Sequence, residues 1–212
     1  MRSYRQYCAV AKALDVIGDR WTLLIVRELS LRGASRYTDL RRGLPGIATN
    51  LLADRLRELE QAGIVAREDA PPPVATALFS LTERGEALVP VLHELGLWGV
   101  RFMTEGPAPD DEFRSRWLAW PAETFLTDNE PDAPPLTIEF DTGDEPMLAR
   151  VQDGRVQVGP GRSDSPDLRV IGDPYPVLGL LSGDLDLDEA RAAGVSFEGP
   201  AAALERVRPN RS

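Results

Sequence analysis

Ala48-Thr49-Asn50-Leu51-Leu52-Ala53-Asp54-Arg55-Leu56-Arg57-Glu58-Leu59-Glu60-Gln61-Ala62, stopped by Gly63, is the longest clean amphipathic stretch of the chain. Leu52, Leu56 and Leu59 share one face of a helical wheel, while Asn50, Ala53, Asp54, Arg57 and Gln61 point the opposite way. Just upstream, Tyr37 to Leu44 has the length of about two helical turns and is broken by Pro45-Gly46. Two short helices joined by a glycine-containing turn, the second with a polar outer face, fit a helix-turn-helix.

The flanks extend this motif. Val10, Leu14 and Ile17 recur at helical spacing ahead of Gly18-Asp19, a helix stop followed by an N-cap residue. A second apolar segment, Trp21 to Leu31, ends near Gly33. Downstream, Ile64-Val65-Ala66-Arg67 and Ala77-Leu78-Phe79-Ser80-Leu81 are expected as two strands around Pro71-Pro72-Pro73, a wing. A last helix is expected from Thr82 or Glu83 to about Met103. Its Leu88, Val91, Leu92, Leu95, Trp98, Val100 and Phe102 give more apolar surface than one small domain needs, which points to a dimer interface.

Charge is unevenly spread. The whole chain of 212 residues carries a net −10, which taken alone argues against phosphate contacts. Residues 1–105 hold 14 Lys+Arg and 13 Asp+Glu, whereas residues 106–212 hold 10 and 21. Within residues 20–67 there are nine Arg against five acids, enough for a phosphate-facing surface. The Gly-, Pro- and acid-rich stretch 106–112 is expected as a linker between residues 1–105 and 113–212. The acidic half must then face away from any duplex, and removing residues 106–212 from a surviving dimer is expected to strengthen non-specific DNA binding at low salt.

Cys8, Leu14-Asp15-Val16-Ile17-Gly18-Asp19-Arg20-Trp21-Thr22-Leu23-Leu24-Ile25, Leu40-Arg41-Arg42, Leu44-Pro45-Gly46-Ile47, Leu56 through Val65, Ser80-Leu81-Thr82-Glu83 and Trp98-Gly99 together resemble the HxlR family of winged helix-turn-helix transcription regulators. The resemblance covers about residues 5–103. It implies a homodimer with paired terminal helices, each recognition helix entering a major groove of a pseudo-palindromic DNA operator, the half-sites about one helical turn apart.

On that reading Thr49 and Asn50 are candidates for base contact, Asn being able to pair bidentately with adenine; helix capping is the alternative. Arg36, Thr38, Arg41, Arg42, Arg55 and Arg57 are candidates for phosphate contact, with solvated surface or pairing to Glu58 and Glu60 as the alternative. Many relatives place Ser where Ala48 stands, so Thr49 is expected to cap the helix one residue later. Relatives often carry a basic residue near Thr76, but residues 69–76 have none here, leaving Arg67 as the wing cation able to reach a phosphate.

Cys8 matches the cysteine that some such regulators use to sense oxidants. Arg5 and Lys12 would lower its pKa if the stretch is helical; a small buried apolar side chain is the other reading. His93, the only histidine, is expected at an interface or on the surface.

In the second half, Phe113, Trp117, Leu118, Trp120 and Phe125 form an aromatic helical pattern interrupted at Pro121. Leu136-Thr137-Ile138-Glu139-Phe140 alternates as a strand does. Pro146 to Gln152 and Arg155 to Val158 flank Asp153-Gly154, a pair favoured in type I′ hairpins. A strand at 168–171, helices at 175–181 and 187–193, a strand at 195–198 and a helix at 200–207 complete a mixed α/β order. Overall the fold class is α+β. The runs Pro166 to Pro174, Leu180 to Leu185 and Gly194 to Pro200, with Leu204-Glu205-Arg206, resemble sterol carrier protein type 2-like domains. That implies a helix-covered sheet over an apolar tunnel and an effector-sensing role for a hydrophobic small molecule. Trp117, Trp120, Phe125, Leu136, Ile138, Phe140, Met147 and Leu178 are candidate lining residues, with a closed core as the alternative.

No enzyme signature appears: one His and one Cys lie far apart, and no glycine pattern matches a nucleotide fingerprint. Asp184, Asp186 and Asp188 lack the other ligands of a calcium loop and fit a helix start, so no metal or cofactor is expected. One cysteine, no apolar run of membrane-spanning length and no signal peptide lead to the expectation of a cytoplasmic protein without membrane attachment. A lipid-binding or transfer module whose winged domain mainly dimerises, or a thiol switch at Cys8, are the competing functions.

Overall fold

The computed structural model describes residues 3–69, 76–103 and 106–207. The chain divides into two compact units, Met1–Met103 and Thr104–Ser212.

The first unit opens with α1 (Ala9–Ile17) and α2 (Thr22–Arg32). Asp19 sits in the turn between them, its carboxylate accepting from the Trp21 N–H at 2.8 Å and the Thr22 N–H at 3.1 Å, while Trp21 and not Asp19 is the N-cap of α2. Next come β1 (Ser35–Arg36), α3 (Tyr37–Gly43), α4 (Thr49–Gln61), β2 (Val65–Asp69) and β3 (Ala77–Leu81). Helix α4 buries Leu52, Leu56 and Leu59, each at most 2% exposed. Burial on this scale contributes about 2 kcal/mol per leucine, so these three residues clamp the helix to the unit. Gly63, at φ +69°, ends α4 in a left-handed turn, and the Ile64 N–H reaches back to the Leu59 carbonyl at 2.9 Å.

The wing is antiparallel, with Val65 opposite Leu81 and Arg67 opposite Phe79. Its tip, with Pro71-Pro72-Pro73, lies outside the described residues. The two-residue strand β1 was not anticipated. It pairs with β3 through Ser35↔Phe79 and makes the sheet three-stranded, in the order β1-β3-β2. Two residues are too few to show a period.

The expected terminal helix is interrupted. Short α5 (Glu83–Glu86) is capped by Thr82, whose Oγ1 accepts from the Gly85 N–H, and a new helix, α6 (Val89–Gly99), starts after Leu88. Pro90 lies in the first turn of α6, where its missing N–H costs nothing; inside one continuous helix it would have removed the bond to Glu86. A single 3₁₀ turn, Val100–Phe102, follows. The apolar stripe of α6 remains uncovered in the unit: Val91, Leu95, Trp98 and Phe102 are 49%, 43%, 61% and 67% exposed, and Val10 and Leu14 on α1 are exposed as well.

The second unit is mixed α/β. A 3₁₀ turn, Ser115–Leu118, leads into α7 (Ala119–Phe125). Pro121 was expected to break this pattern, but it falls in the first turn of α7, where proline is tolerated. Strands β4 (Leu136–Asp141), β5 (Met147–Gln152), β6 (Arg155–Pro160) and β7 (Leu168–Ile171) are followed by α8 (Pro174–Ser182), α9 (Leu187–Ala192), β8 (Ser196–Glu198) and a 3₁₀ segment at Ala201–Arg206. The sheet order is β6-β5-β4-β7-β8, with β4 and β7 parallel and the other pairs antiparallel. Asp153 and Gly154 adopt φ +52° and +76°, the two positive values that a type I′ turn requires.

One sheet face carries Leu136, Ile138, Phe140, Met147, Ala149, Leu168 and Val170 in register. The other face carries Glu139, fully buried, which accepts from Arg169 Nε at 2.9 Å and from the Ser163 N–H at 2.9 Å where the chain crosses from β6 to β7. Asp128 and Arg206, also buried, join the segment after α7 to the last turn through Nε–Oδ1 at 2.8 Å and Nη2–Oδ2 at 3.1 Å.

Candidate nucleic-acid interface

Helix α4 begins at Thr49 because Ala48 is already extended (φ −70°, ψ 141°) while its carbonyl accepts from the Leu52 N–H at 3.0 Å. Thr49 is therefore the first helical residue and not the cap expected for it; no side chain caps this helix. Thr49 and Asn50 are both exposed at its start. The Tyr37 hydroxyl donates to the Thr49 carbonyl at 2.5 Å and ties the start of α4 to α3. The sequence signalled Tyr37 only as a helix opening and gave no hint of this tie.

Arg36 immediately precedes α3, Thr38 lies in its first turn, and Arg41 and Arg42 lie in its last turn; all four are exposed. Among the described residues, none of these three arginines makes an ion pair. With Asp39 the one acid of α3, they leave a net positive charge around this helix, and the start of α4, which Tyr37 ties to α3, adds free N–H groups that also favour anions. Arg67, exposed on β2, lies 3.7 Å from Asp69.

Arg55 and Arg57 diverge, because two residues on a helix turn through roughly 200°. Arg57 is on the outward face with Asn50, its Nη1 donating to Asp54 Oδ1 at 2.9 Å. Arg55 points inward to Glu58 and, with its Nε 3.6 Å from Asp19, to the turn between α1 and α2. Arg55 thus pairs with Glu58, one of the alternatives to phosphate contact that the sequence left open, on the wall of a cleft of about 590 Å³ lined also by Asp15, Asp19 and Glu58.

Cys8 is exposed and ends the extended segment before α1. The helical stretch that would have brought Arg5 and Lys12 to the thiol starts only at Ala9. The N–H groups of Ala11 and Val10, at the start of α1, hold the thiol below its ordinary pKa instead. His93 lies half-buried on α6.

In the second unit Ile138, Phe140 and Met147 are brought together with Leu136 on one sheet face, and the first three are completely enclosed. Trp117, Trp120, Phe125 and Leu178 are half-buried on the helical elements. Trp117 meets Phe113 edge to face at 5.9 Å between ring centres. Asp186 caps α9 in a capping box with Glu189, the helix-start role expected for this acidic run. Among the described residues no cluster of His, Cys, Asp or Glu could hold a metal, and no helix is long and apolar enough to cross a membrane.

The pattern defining the family of HxlR-like helix-turn-helix proteins matches residues 16–107. The HTH-type transcriptional regulator YvaP of Bacillus subtilis (strain 168) is 37% identical over 92 residues, covering 43% of this chain and 84% of that protein. YodB, an HTH-type transcriptional regulator of the same organism, is 35% identical over 100 residues, covering 47% of this chain and 88% of YodB. Among solved structures, the reduced form of YodB from B. subtilis aligns with a TM-score of 0.42 at 34% identity, covering 48% of this chain and 100% of that one. With relatives of this identity aligned over most of their own length, the chain belongs to the HxlR-like helix-turn-helix family of transcription regulators.

Proposed function

We propose that the protein is a homodimeric regulator that inserts α4 of each protomer into the major groove of a pseudo-palindromic operator and is controlled by a hydrophobic small molecule held in residues 113–212. The observation that carries the DNA reading is the set of exposed arginines that form no ion pair among the described residues, Arg36, Arg41 and Arg42, near the exposed start of α4, in a chain whose net charge is −10. Phosphate contacts from these arginines and Thr38 fix the register, and Asn50 and Thr49 meet base edges. Arg67 adds a phosphate contact from the wing. The uncovered stripe on α6, together with α1, supplies the dimer interface.

For the effector, the support is the resemblance of the second half to sterol carrier protein type 2-like domains and the half-buried Trp117, Trp120, Phe125 and Leu178 on its helical elements; the sheet face itself is enclosed at Ile138, Phe140 and Met147 and adds none. A mobility-shift assay with the DNA flanking the protein's own coding sequence tests the first part. Binding that falls steeply with salt and weakens in Asn50→Ala supports it; sequence-indifferent binding to every duplex sinks it. Native mass spectrometry of protein from its own host tests the second, through a retained mass that dissociates on unfolding. A protein that arrives without such a mass, and whose operator affinity no apolar compound alters, would leave the effector role without support.

A second reading has its own observation. Cys8 is exposed and its thiol is acidified by the start of α1. Under this reading oxidation of Cys8 changes operator affinity in the wild type and not in Cys8→Ser. Equal response of both proteins eliminates it.

A further inference from the structure

We propose that Arg57 reads a guanine in the operator half-site and that Asp54 is the residue that positions it; the inference rests on α4 being the DNA-reading helix. Asn50, Asp54 and Arg57 share the outward face: from Asn50, Asp54 lies roughly 40° and Arg57 roughly −20° around the axis, opposite the buried leucines. The Asp54–Arg57 pair belongs to this face alone, with side chains 56% and 64% exposed. Among the described residues neither side chain forms an ion pair with another element, unlike Arg55, whose partner Asp19 lies outside α4.

Charge separates this pair from the phosphate contacts. A carboxylate on a surface that meets DNA repels the backbone, and a guanidinium already neutralised by one releases few counterions. Arg36, Arg41 and Arg42 have no such partner among the described residues and suit phosphates; Arg57 does not. What the pair offers is geometry. Arg57 Nη1 is committed to Asp54 Oδ1 at 2.9 Å, which leaves the Nε–Nη2 edge, two parallel N–H donors, open to solvent. That edge matches the O6 and N7 acceptors that guanine presents in the major groove. The Asp54 carboxylate fixes the plane of the fork before DNA arrives.

The spacing adds a prediction about the operator. Seven residues at about 1.5 Å each put Arg57 roughly 10.5 Å along the axis from Asn50, or about three base pairs at 3.4 Å per step. Each half-site should therefore hold an adenine read by Asn50 and a guanine read by Arg57 about three base pairs apart.

The test is selection from random oligonucleotides with the full chain, followed by affinity measurements on single-base variants of the selected site. The wild type is expected to prefer guanine at one half-site position by roughly ten- to a hundredfold. Arg57→Ala should lose that preference and keep the adenine preference, while Asn50→Ala does the reverse. Asp54→Ala should weaken the same guanine preference while raising affinity for unrelated DNA at low salt. Asp54→Asn, which retains an acceptor oxygen, should restore part of the preference. A guanine preference that survives Arg57→Ala, or an Asp54→Ala effect spread evenly over all positions, overturns the proposal and leaves α4 as the reading helix. A wild type that enriches no sequence removes both.

Discussion

Replacing Arg41 and Arg42 together by Ala measures how much of the DNA affinity is electrostatic. If Arg36, Arg41, Arg42 and the wing's Arg67 each meet one phosphate, a dimer makes about eight such contacts, and the slope of log Kobs against log salt is about −7.2. The double variant keeps about four contacts and a slope of about −3.6. Between 50 and 200 mM salt the wild type would then lose about 20,000-fold in affinity and the variant only about 150-fold. Neither arginine pairs with a described acid or is buried, so the fold itself should be unaffected; surface substitutions of this kind change stability by about 0.5 kcal/mol at most. Fluorescence anisotropy with a labelled operator across a salt series gives both slopes, and urea unfolding checks stability. A double variant with the wild-type slope refutes the assignment of α3 to the phosphate backbone, and a wild-type slope near zero refutes the electrostatic reading altogether.

Trp98→Asp should disrupt the dimer, because Trp98 lies at the centre of the exposed stripe on α6. Loss of a central interface tryptophan costs about 2–4 kcal/mol, at least about 30-fold in the dimer Kd, which sedimentation equilibrium measures. An unchanged Kd would exclude this face. Asp128→Ala should destabilise the second unit by about 3 kcal/mol, since it leaves the buried Arg206 guanidinium without its counter-charge. The hydrogen bond from Arg206, opposed by burial and helped by the Glu130 N–H, holds the Asp128 pKa below the ordinary carboxylate value. Its stabilisation is therefore complete above about pH 4 and is lost as the pH falls through the lower folded value, a component that Asp128→Asn should lack in acid unfolding. For Cys8, alkylation should reach half its maximal rate below about pH 8.5, the value of a free thiol; a midpoint at or above that pH contradicts the acidifying role of α1.

Elements with strong periodicity or obligatory turn chemistry were legible in the sequence. Helix α4 followed from its leucines, the β5–β6 hairpin from Asp153-Gly154, and the break between α1 and α2 from Gly18-Asp19. What escaped depended on residues distant along the chain or on the finer placement of proline. Strand β1 is two residues long and exists only because β3 offers it an edge. Pro90 divides the terminal helix, whereas Pro121, a residue of the same type, lies harmlessly in a first turn; composition alone does not separate the two cases.

At the candidate interface, exposure of Thr49, Asn50 and the α3 arginines followed from the polar pattern. The divergence of Arg55 and Arg57 was implicit in their two-residue separation, but that Arg55 meets Asp19 required the tertiary fold. The Tyr37 tie to Thr49 runs from a hydroxyl to a backbone carbonyl twelve residues away and leaves no mark in any local pattern. The acidity of Cys8 was attributed in the sequence to neighbouring cations, yet the structure assigns it to backbone N–H groups, which every sequence possesses and only a helix start aligns.

Hydroxyl-radical footprinting of the full chain on a duplex enriched by selection tests the central claim most directly. A homodimer reading two half-sites with α4 protects two backbone segments on one face of the DNA, with centres about 10 base pairs apart, and both weaken together in Asn50→Ala. A single protected segment, or protection that is uniform along the duplex and indifferent to Asn50→Ala, would contradict it.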